Sequence, residues 1–279
     1  MAKEKANRLP RWIHDCGEGA VVWRIVFTPS GTLVAEKRLS AERRSVFFSL
    51  DPLSGAVHTA GWRAVDPVQE ALIGEGWFTG IETVHEHFVY IHSWQEASPE
   101  HRGIWAFDPV RVEVQWGRPD LVFSANTKGG LLVYRIALFA GLPERQYFLL
   151  DPLTGALIQR SAQSPGEGLD IAAEEVYALQ RGAETEESRQ GVLLPEMVAG
   201  RGGEQERIQL GETVVEGLHG KKDSGEWYSR VSIDEGGEAR YRDSMEEHSP
   251  QPLWNNFLVR GGDLYYIRNK RELVCVPLR

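Results

Sequence analysis

FFSLDPLSGAV (Phe47 to Val57) returns one hundred residues later as YFLLDPLTGAL (Tyr147 to Leu157). Each copy is an apolar, aromatic run, an Asp-Pro step, a glycine and a second apolar run, which reads as strand, tight turn, strand. Asp51 and Asp151 can accept backbone hydrogen bonds across the turn, Pro52 presets its φ, and Gly55 can take the positive φ that ends the loop. This is hairpin chemistry and carries no catalytic signature. A third copy, IWAFDPVRVEVQW (Ile104 to Trp116), keeps the apolar run and the Asp-Pro step, and weaker echoes follow at VLLPEMVAG (Val192 to Gly200) and VCVPLR (Val274 to Arg279). Pro52, Pro109, Pro152, Pro195 and Pro277 are spaced by 57, 43, 43 and 82 residues, and the last gap divides into two near 41 if Glu235 stands in a proline's place. A period near 40 that carries several strands is the mark of a propeller blade. The expectation is an all-β chain forming one domain over residues 1–279, a β-propeller of about six four-stranded blades with its ring closed by the N-terminal strand.

The blades can be read off in turn. Blade one is AVVWRIVF, TLVAEKR, SVFFSLD and AVHTAGW; blade two is GWFTGIETV, HFVYIHSW, GIWAFD and VEVQW; blade three is DLVFSAN, LLVYRIAL, RQYFLLD and ALIQRS. Blade four is weakest, since LDIAAEEVYAL reads equally as a short helix and GAETEESRQG as an acidic loop. Blade five holds RIQLG, TVVEGLHG, WYSRVSID and ARYRD. The closing NNFLVR, DLYYIRN and ELVCVPL supply three strands, so RLPRWIHDC at the N-terminus is expected to provide the fourth, bringing Cys16 and Cys275 into one blade. Most of the nine tryptophans are assigned to contacts between blades, with Trp94 as the exception.

Composition narrows the partners. With 31 Lys+Arg against 40 Asp+Glu the net charge is −9, which opposes phosphate binding and argues against nucleic acid. No run of 18 apolar residues occurs and no apolar stretch follows the basic start, so a soluble, cytoplasmic protein without membrane contact is expected. The two cysteines allow no disulfide framework and no C-x-x-C pair, and read as buried small hydrophobes.

Two resemblances follow from these motifs. AFDPVRVEVQW resembles the tryptophan-docking repeat of quinoprotein-type propellers, Ala106, Asp108 and Trp116 matching its spacing. Thr154-Gly155 matches a further part, but Gln159 stands where that copy's tryptophan would be. The likeness implies blade geometry; those dehydrogenases are longer, exported and calcium-dependent, and no cofactor is carried over. GWFTGIE, PEHRGIWAFD and the closing NNFLVRGGDLYYIRNKRELVCVPL are similar to an uncharacterised bacterial family of about this length. That similarity implies a propeller-like protein of unknown function.

Chemistry-bearing residues are sparse. His85, His87, His92 and His101 fall within 17 residues, but alternation puts His85 and His87 on one strand face and His92 on the other, and no H-E-x-x-H spacing is present. No metal and no cofactor are therefore expected. There is no G-x-S-x-G elbow, GLHGKKD is not a phosphate loop, and the pairs Glu174-Glu175 and Glu246-Glu247 would face opposite ways on a strand. What remains is the propeller face where loops from several blades converge. Its expected partner-binding residues are Glu18, Glu75 and Glu167 from Gly-Glu-Gly connectors, Arg43 and Arg44 from blade one, Glu100, His101 and Arg102 from the loop QEASPEHRG, and Glu144 and Arg145 from blade three. The functional expectation is a noncatalytic propeller that binds an unknown protein or small ligand on that face. The alternative is a hydrolase or lyase with its site at the channel mouth.

Overall fold

The computed structural model describes residues 8–127, 129–160, 190–198 and 204–279. Among the described residues there are 22 strands, two short 3-10 turns and no α-helix, so this part of the chain is all-β. It gathers into two compact units, one comprising Trp23–Asp51 and Ala56–Gln190, the other Met1–Val22, Pro52–Gly55 and Gly191–Arg279. Strand β1 (Trp12–Asp15) belongs to the second.

The first unit holds three antiparallel four-stranded meanders, apart from the first three residues of the first strand, each the blade unit of a propeller. They are β2 (Ala20–Phe27), β3 (Leu33–Leu39), β4 (Arg44–Leu50) and β5 (Val57–Trp62); β6 (Thr79–His85), β7 (Phe88–Gln95), β8 (Ser98–Asp108) and β9 (Glu113–Arg118); and β10 (Val122–Thr127), β11 (Gly130–Phe139), β12 (Leu142–Leu150) and β13 (Leu157–Arg160). These match the strands expected for blades one to three. Residues 45–50 of β4 are all buried, which is why that strand reads as a run and does not alternate. Phe47 lies with Val34, Ile81, Ile91 and Phe107 in one core cluster, and Trp62 stacks on Phe107 with ring centroids 3.8 Å apart. Tyr90, Leu131, Val133 and Phe148 centre the next cluster, between the second and third sheets. Trp105 is buried, but Trp23, expected in a contact between blades, is 66% exposed on β2. It falls on the solvent side of the strand, where alternation leaves a large ring uncovered.

The repeated turns are equivalent. Asp51 N–H donates to Ala56 O at 2.9 Å and Asp151 N–H to Ala156 O at 2.8 Å, while Gly55 and Gly155 take φ of +72° and +67°. Asp151 Oδ1 accepts the amides of Leu153 and Thr154, each at 2.9 Å. In the third copy Asp108 Oδ1 accepts from Val110 and Arg111, and Val112 occupies the glycine position at φ +61°. A fourth copy, Asp66-Pro67-Val68-Gln69-Glu70-Ala71, was not among those read from the sequence. Its Asp66 Oδ1 accepts from Val68 and Gln69 at 2.8 Å each, and Glu70 sits at φ +54°. The string D-P-V-x-x-A was legible; replacement of glycine by glutamate hid it.

Trp116 on β9 shows what these turns are for. Its indole N–H donates to Pro152 O at 3.1 Å, Tyr90 OH donates to the same carbonyl at 2.8 Å, and the ring lies where a Cβ on Gly155 would come within 2.6 Å. A tryptophan of one sheet thus docks on the Asp-Pro turn of the next. Trp105 does the same by another bond, donating to Asp66 Oδ2 at 2.7 Å.

The second unit holds two five-stranded sheets. β14 (Val192–Leu193) and β15 (Glu196–Val198) are separated by Leu194-Pro195 and enter different sheets. The described part of the VLLPEMVAG echo, residues 192–198, is therefore a crossover, corrected from a weak repeat of the hairpin turn. β15 is followed by β16 (Glu204–Leu210), β17 (Thr213–Lys221), β18 (Trp227–Glu235) and β19 (Glu238–Ser249) in one antiparallel sheet. β20 (Phe257–Arg260), β21 (Asp263–Arg268) and β22 (Glu272–Pro277) form the other with β14 at one edge and β1 at the opposite edge. Trp12 pairs with Cys275 and Asp15 with Glu272, so the N-terminal strand completes the last blade as expected. Cys16 continues the edge, its N–H donating to Arg271 O at 3.0 Å, and both cysteines are buried. Trp12 repeats the docking of Trp116: its indole N–H donates to Pro52 O at 2.9 Å, where Tyr265 OH also donates at 3.2 Å.

Five sheets are present among the described residues, against an expectation of about six blades. The proposed fourth blade, with Gly166-Glu167-Gly168, lies outside the described residues.

Candidate functional site

Within the first unit, three side chains meet at one point. Glu82 Oε2 lies 2.7 Å from His101 Nδ1 and 3.0 Å from His92 Nδ1, and the two imidazoles stack at 3.5 Å between centroids with planes 10° apart. Strand irregularities make this possible. Ile81 pairs with Ile91 and Thr83 with Tyr90, so Glu82 is an extra residue on β6. On β8, Gly103 and Ile104 together oppose His92, because Ile91 pairs with Trp105 and Ser93 with Arg102. Gly103 takes φ +68° there, and such bulges redirect side chains from strict alternation. The isolated glycine within a strand pattern was the available sequence signal. His85 and His87 flank the β6–β7 turn and stay apart from the cluster, His87 lying 3.8 Å from Asp108.

Burial by itself would raise the Glu82 carboxyl, but the adjoining imidazoles of His101 and His92 overturn that and take its pKa to about 2. Burial pushes the His92 imidazole down, with Glu82 pulling the other way. His92 is 5% exposed, whereas the His101 side chain reaches solvent. Gly80 lets the neighbouring groups close in: a Cβ there would stand 3.2 Å from Glu36 Oε2 and 3.3 Å from His92 Nε2.

Beside this cluster, Arg38 on β3 is enclosed by indoles. Its guanidinium carbon lies 4.9 Å from the Trp94 ring, 5.1 Å from Trp77 and 5.5 Å from Trp23. It donates to Trp77 O at 2.6 Å and Thr79 O at 2.7 Å and pairs with Glu36 Oε1 at 2.5 Å. A cation over several aromatic faces in a desolvated setting is held by about 2 kcal/mol or more. Burial pushes the Glu36 carboxyl up against the pull of Arg38, and Ile81 N–H and Ser45 OH donate to it. Trp94, half-buried, is thus part of this cage.

Of the described residues among those expected on a partner-binding face, only His101 joins the cluster. Arg43 is exposed at φ +48°, lies over Phe78 at 5.6 Å, and pairs with Glu96 at 3.7 Å. Arg44 opens β4 and pairs with Glu42. Glu100, His101 and Arg102 are not in a loop: β7 runs to Gln95 and β8 starts at Ser98, because the two strands extend through QEASPEHRG as a hairpin. Glu144 and Arg145 likewise lie in β12, opposite Ala137 and Ile136, and Arg145 sits 4.5 Å over Tyr134. Glu75, exposed, is in the 3-10 turn before β6 with φ +57°. Glu18 is exposed in the β1–β2 turn of the other unit, and Glu167 lies outside the described residues.

The second unit has two features that sequence reading missed. His219 stands between Ser229 Oγ at 2.8 Å and Glu206 Oε2 at 3.1 Å, an arrangement with the parts of a hydrolytic triad. Ser229 and His219 are 0% exposed and Glu206 1%, the Leu253 amide already donates to Ser229 Oγ, and Asn255 N–H donates to Glu206 Oε1. Buried in this way, the network fastens the 253–255 segment to its sheet. A concavity of 710 Å³ lined by Glu216, Arg230, Asp234, Arg242, Asp243 and Glu247 lies on the same sheet. Its charges are largely spent: Glu216 pairs with Arg207, Arg230 with Glu247 and Asp243 with Arg268.

Comparison with known proteins adds a family of unknown function. Residues 27–116, which contain the whole Glu82–His92–His101 cluster and the Arg38 cage except Trp23, match the model described as Domain of unknown function (DUF4905). No curated protein matches. Among solved structures, a europium-containing methanol dehydrogenase is 12% identical with TM-score 0.31, covering 95% of this chain and 54% of its own. The β-propeller domain of the Trilobed protease from Pyrococcus furiosus is 9% identical with TM-score 0.31, covering 90% and 65%. A putative glycoside hydrolase from Bacteroides ovatus is 10% identical with TM-score 0.34, covering 99% and 94%. This chain thus spans 54% and 65% of the first two, and likeness at these scores carries no chemistry across. Among the described residues no helix is long and apolar enough to cross a membrane.

Proposed function

We propose that this is a noncatalytic binding protein whose ligand site is the surface formed by Trp23, Trp94 and His101 over the Arg38 cage and the Glu82–His92 pair. The observation that supports this reading is an indole left 66% exposed beside a guanidinium held by three aromatic rings and a carboxylate held by two imidazoles. Exposed aromatic rings over fixed charges are suited to recognition, since a ring gives large contact area for little lost side-chain freedom. The acids beneath are engaged by partners, Glu36 by Arg38 and Glu82 by the histidines, which leaves no free acid and base pair facing the surface. We place the protein in the cytoplasm, where its two buried thiols would stay reduced.

The test is a fragment screen on protein labelled with 5-fluorotryptophan, read by fluorine NMR with each resonance assigned by single Trp-to-Phe variants. Binding fragments should shift Trp23 and Trp94 first. Shifts confined to Trp227 and Trp254, or turnover of bound fragments, would overturn the reading, the latter in favour of a hydrolase.

A further inference from the structure

We propose that Glu82, His92 and His101 form a binding site for a first-row divalent cation, with Zn2+ as the best match; this deepens the binding reading above and rests on it only for the place of the site. One donor atom from each residue lies within 4.8 Å of the others. Glu82 Oε2 is 3.0 Å from one imidazole nitrogen and 2.7 Å from the other. Donors bound tetrahedrally to one zinc at about 2.0–2.2 Å stand roughly 3.3–3.6 Å apart, so side-chain adjustments alone would bring the trio to a ligand shell.

One buried atom supports the assignment. Both histidines bring Nδ1 to 3.0 Å or less from the same carboxylate oxygen, and because their rings are stacked, convergence of both lone pairs on one ion takes a turn of the solvent-reaching His101 ring. His92 Nδ1 is buried and 3.0 Å from Glu82 Oε2, yet makes no hydrogen bond of acceptable geometry, so a buried ring nitrogen beside the carboxylate is left unsatisfied. A cation would satisfy it. Two histidines and one carboxylate are a donor set for zinc and for iron(II), nickel(II) and their neighbours, and harder magnesium and calcium prefer oxygen alone.

Arg24 is the nearby opposing charge. It is engaged by the Ile81 and Glu82 backbone carbonyls at 2.7 and 3.2 Å, and not by the Glu82 carboxylate. His101 reaches solvent with its side chain 44% exposed, so the outer side of the ion would remain open to water or to a ligand carrying a donor atom.

The experiment uses the full chain, free of any purification tag, stripped with EDTA and dialysed, then titrated with ZnCl2 by calorimetry and with CoCl2 by visible absorption. One equivalent of zinc should bind per chain, and cobalt should develop ligand-field bands that zinc displaces. His101→Ala, at a half-exposed position, should fold normally by circular dichroism and lose at least tenfold in affinity, as should Glu82→Gln. His87→Ala and His248→Ala should bind as wild type does. Substoichiometric binding, or His101→Ala binding with wild-type affinity, would overturn the proposal. If zinc fails to bind while fragments still shift Trp23 and Trp94, the metal site falls and the binding surface stands; zinc binding with fragments directed elsewhere gives the reverse.

Discussion

Removing the indole of Trp12 tests whether the N-terminal strand is held by docking as well as by its ladder bonds. The ring lies close enough to Gly55 that a Cβ there would be 2.5 Å from Cγ, its N–H donates to Pro52 O at 2.9 Å, and Tyr265 packs against it at 6.0 Å between centroids. Trp12→Phe keeps most of the packing and loses one hydrogen bond. Because Tyr265 OH still donates to Pro52 O at 3.2 Å, the carbonyl is not orphaned, and the cost should be about 1 kcal/mol. Trp12→Ala also loses the buried part of the ring and the contact with Tyr265. Full removal of a core aromatic costs roughly 3–5 kcal/mol, and Trp12 is half-buried, so about 3 kcal/mol is expected. The matched pair Trp116→Phe and Trp116→Ala should fall in the same order, since that ring has the same partners at 3.1 Å from Pro152 O and 5.8 Å from Tyr90. Urea unfolding followed by far-ultraviolet circular dichroism is the appropriate assay, because the substitutions alter indole fluorescence. A Trp12→Ala midpoint equal to wild type, or a Phe variant as costly as the Ala variant, would refute the docking argument.

Two further outcomes are expected. Gly155→Ala places a Cβ 2.6 Å from the Trp116 ring at φ +67°, whereas Gly141→Ala at φ +85° meets nothing within 4 Å; both carry the backbone cost of about 1–2 kcal/mol, and only the first should add the loss of docking, read as a clearly lower unfolding midpoint. The Glu82 carboxyl falls from 4.5 to about 2 on folding, so the unfolded chain binds more protons between those values and stability drops as pH falls through that window, by about 3 kcal/mol for this group. His92, lowered from 6.5, adds a loss of the same sign beginning below its ordinary value, and Glu36, raised, acts in the opposite sense. Glu82→Gln should flatten the acid limb of a stability-versus-pH curve, and an unchanged limb would count against the ionised Glu82 pair.

Much of the fold was legible because its signals are local. An Asp-Pro-x-x-Gly turn between two apolar runs makes its own hydrogen bonds within six residues, so Asp51 and Asp151 announce their hairpins without any knowledge of the rest of the chain. The strand count at the C-terminus likewise required a partner for β22, and β1 supplies it through Trp12 and Cys275. The fourth turn escaped because Glu70 adopts the backbone conformation for which glycine is the usual signal.

The candidate site was not legible in the same way. Strict alternation separates His85 and His87 from His92 and says nothing of Glu82, whereas one extra residue on β6 and another on β8 bring Glu82, His92 and His101 together. Bulges are set by how neighbouring strands pair and twist, so a side chain's direction beyond one is decided by the sheet and not by its own strand. The cage of Arg38 depends on still longer reach, since Trp23, Trp77 and Trp94 come from separate segments that the packing of two sheets makes adjacent. The sequence by itself determined the β-rich blades and most of their turns, because those are short-range hydrogen bonding and hydrophobic pattern; the meeting of a carboxylate, two imidazoles and an indole-bound guanidinium was decided only by tertiary structure, because it depends on register between strands and on burial.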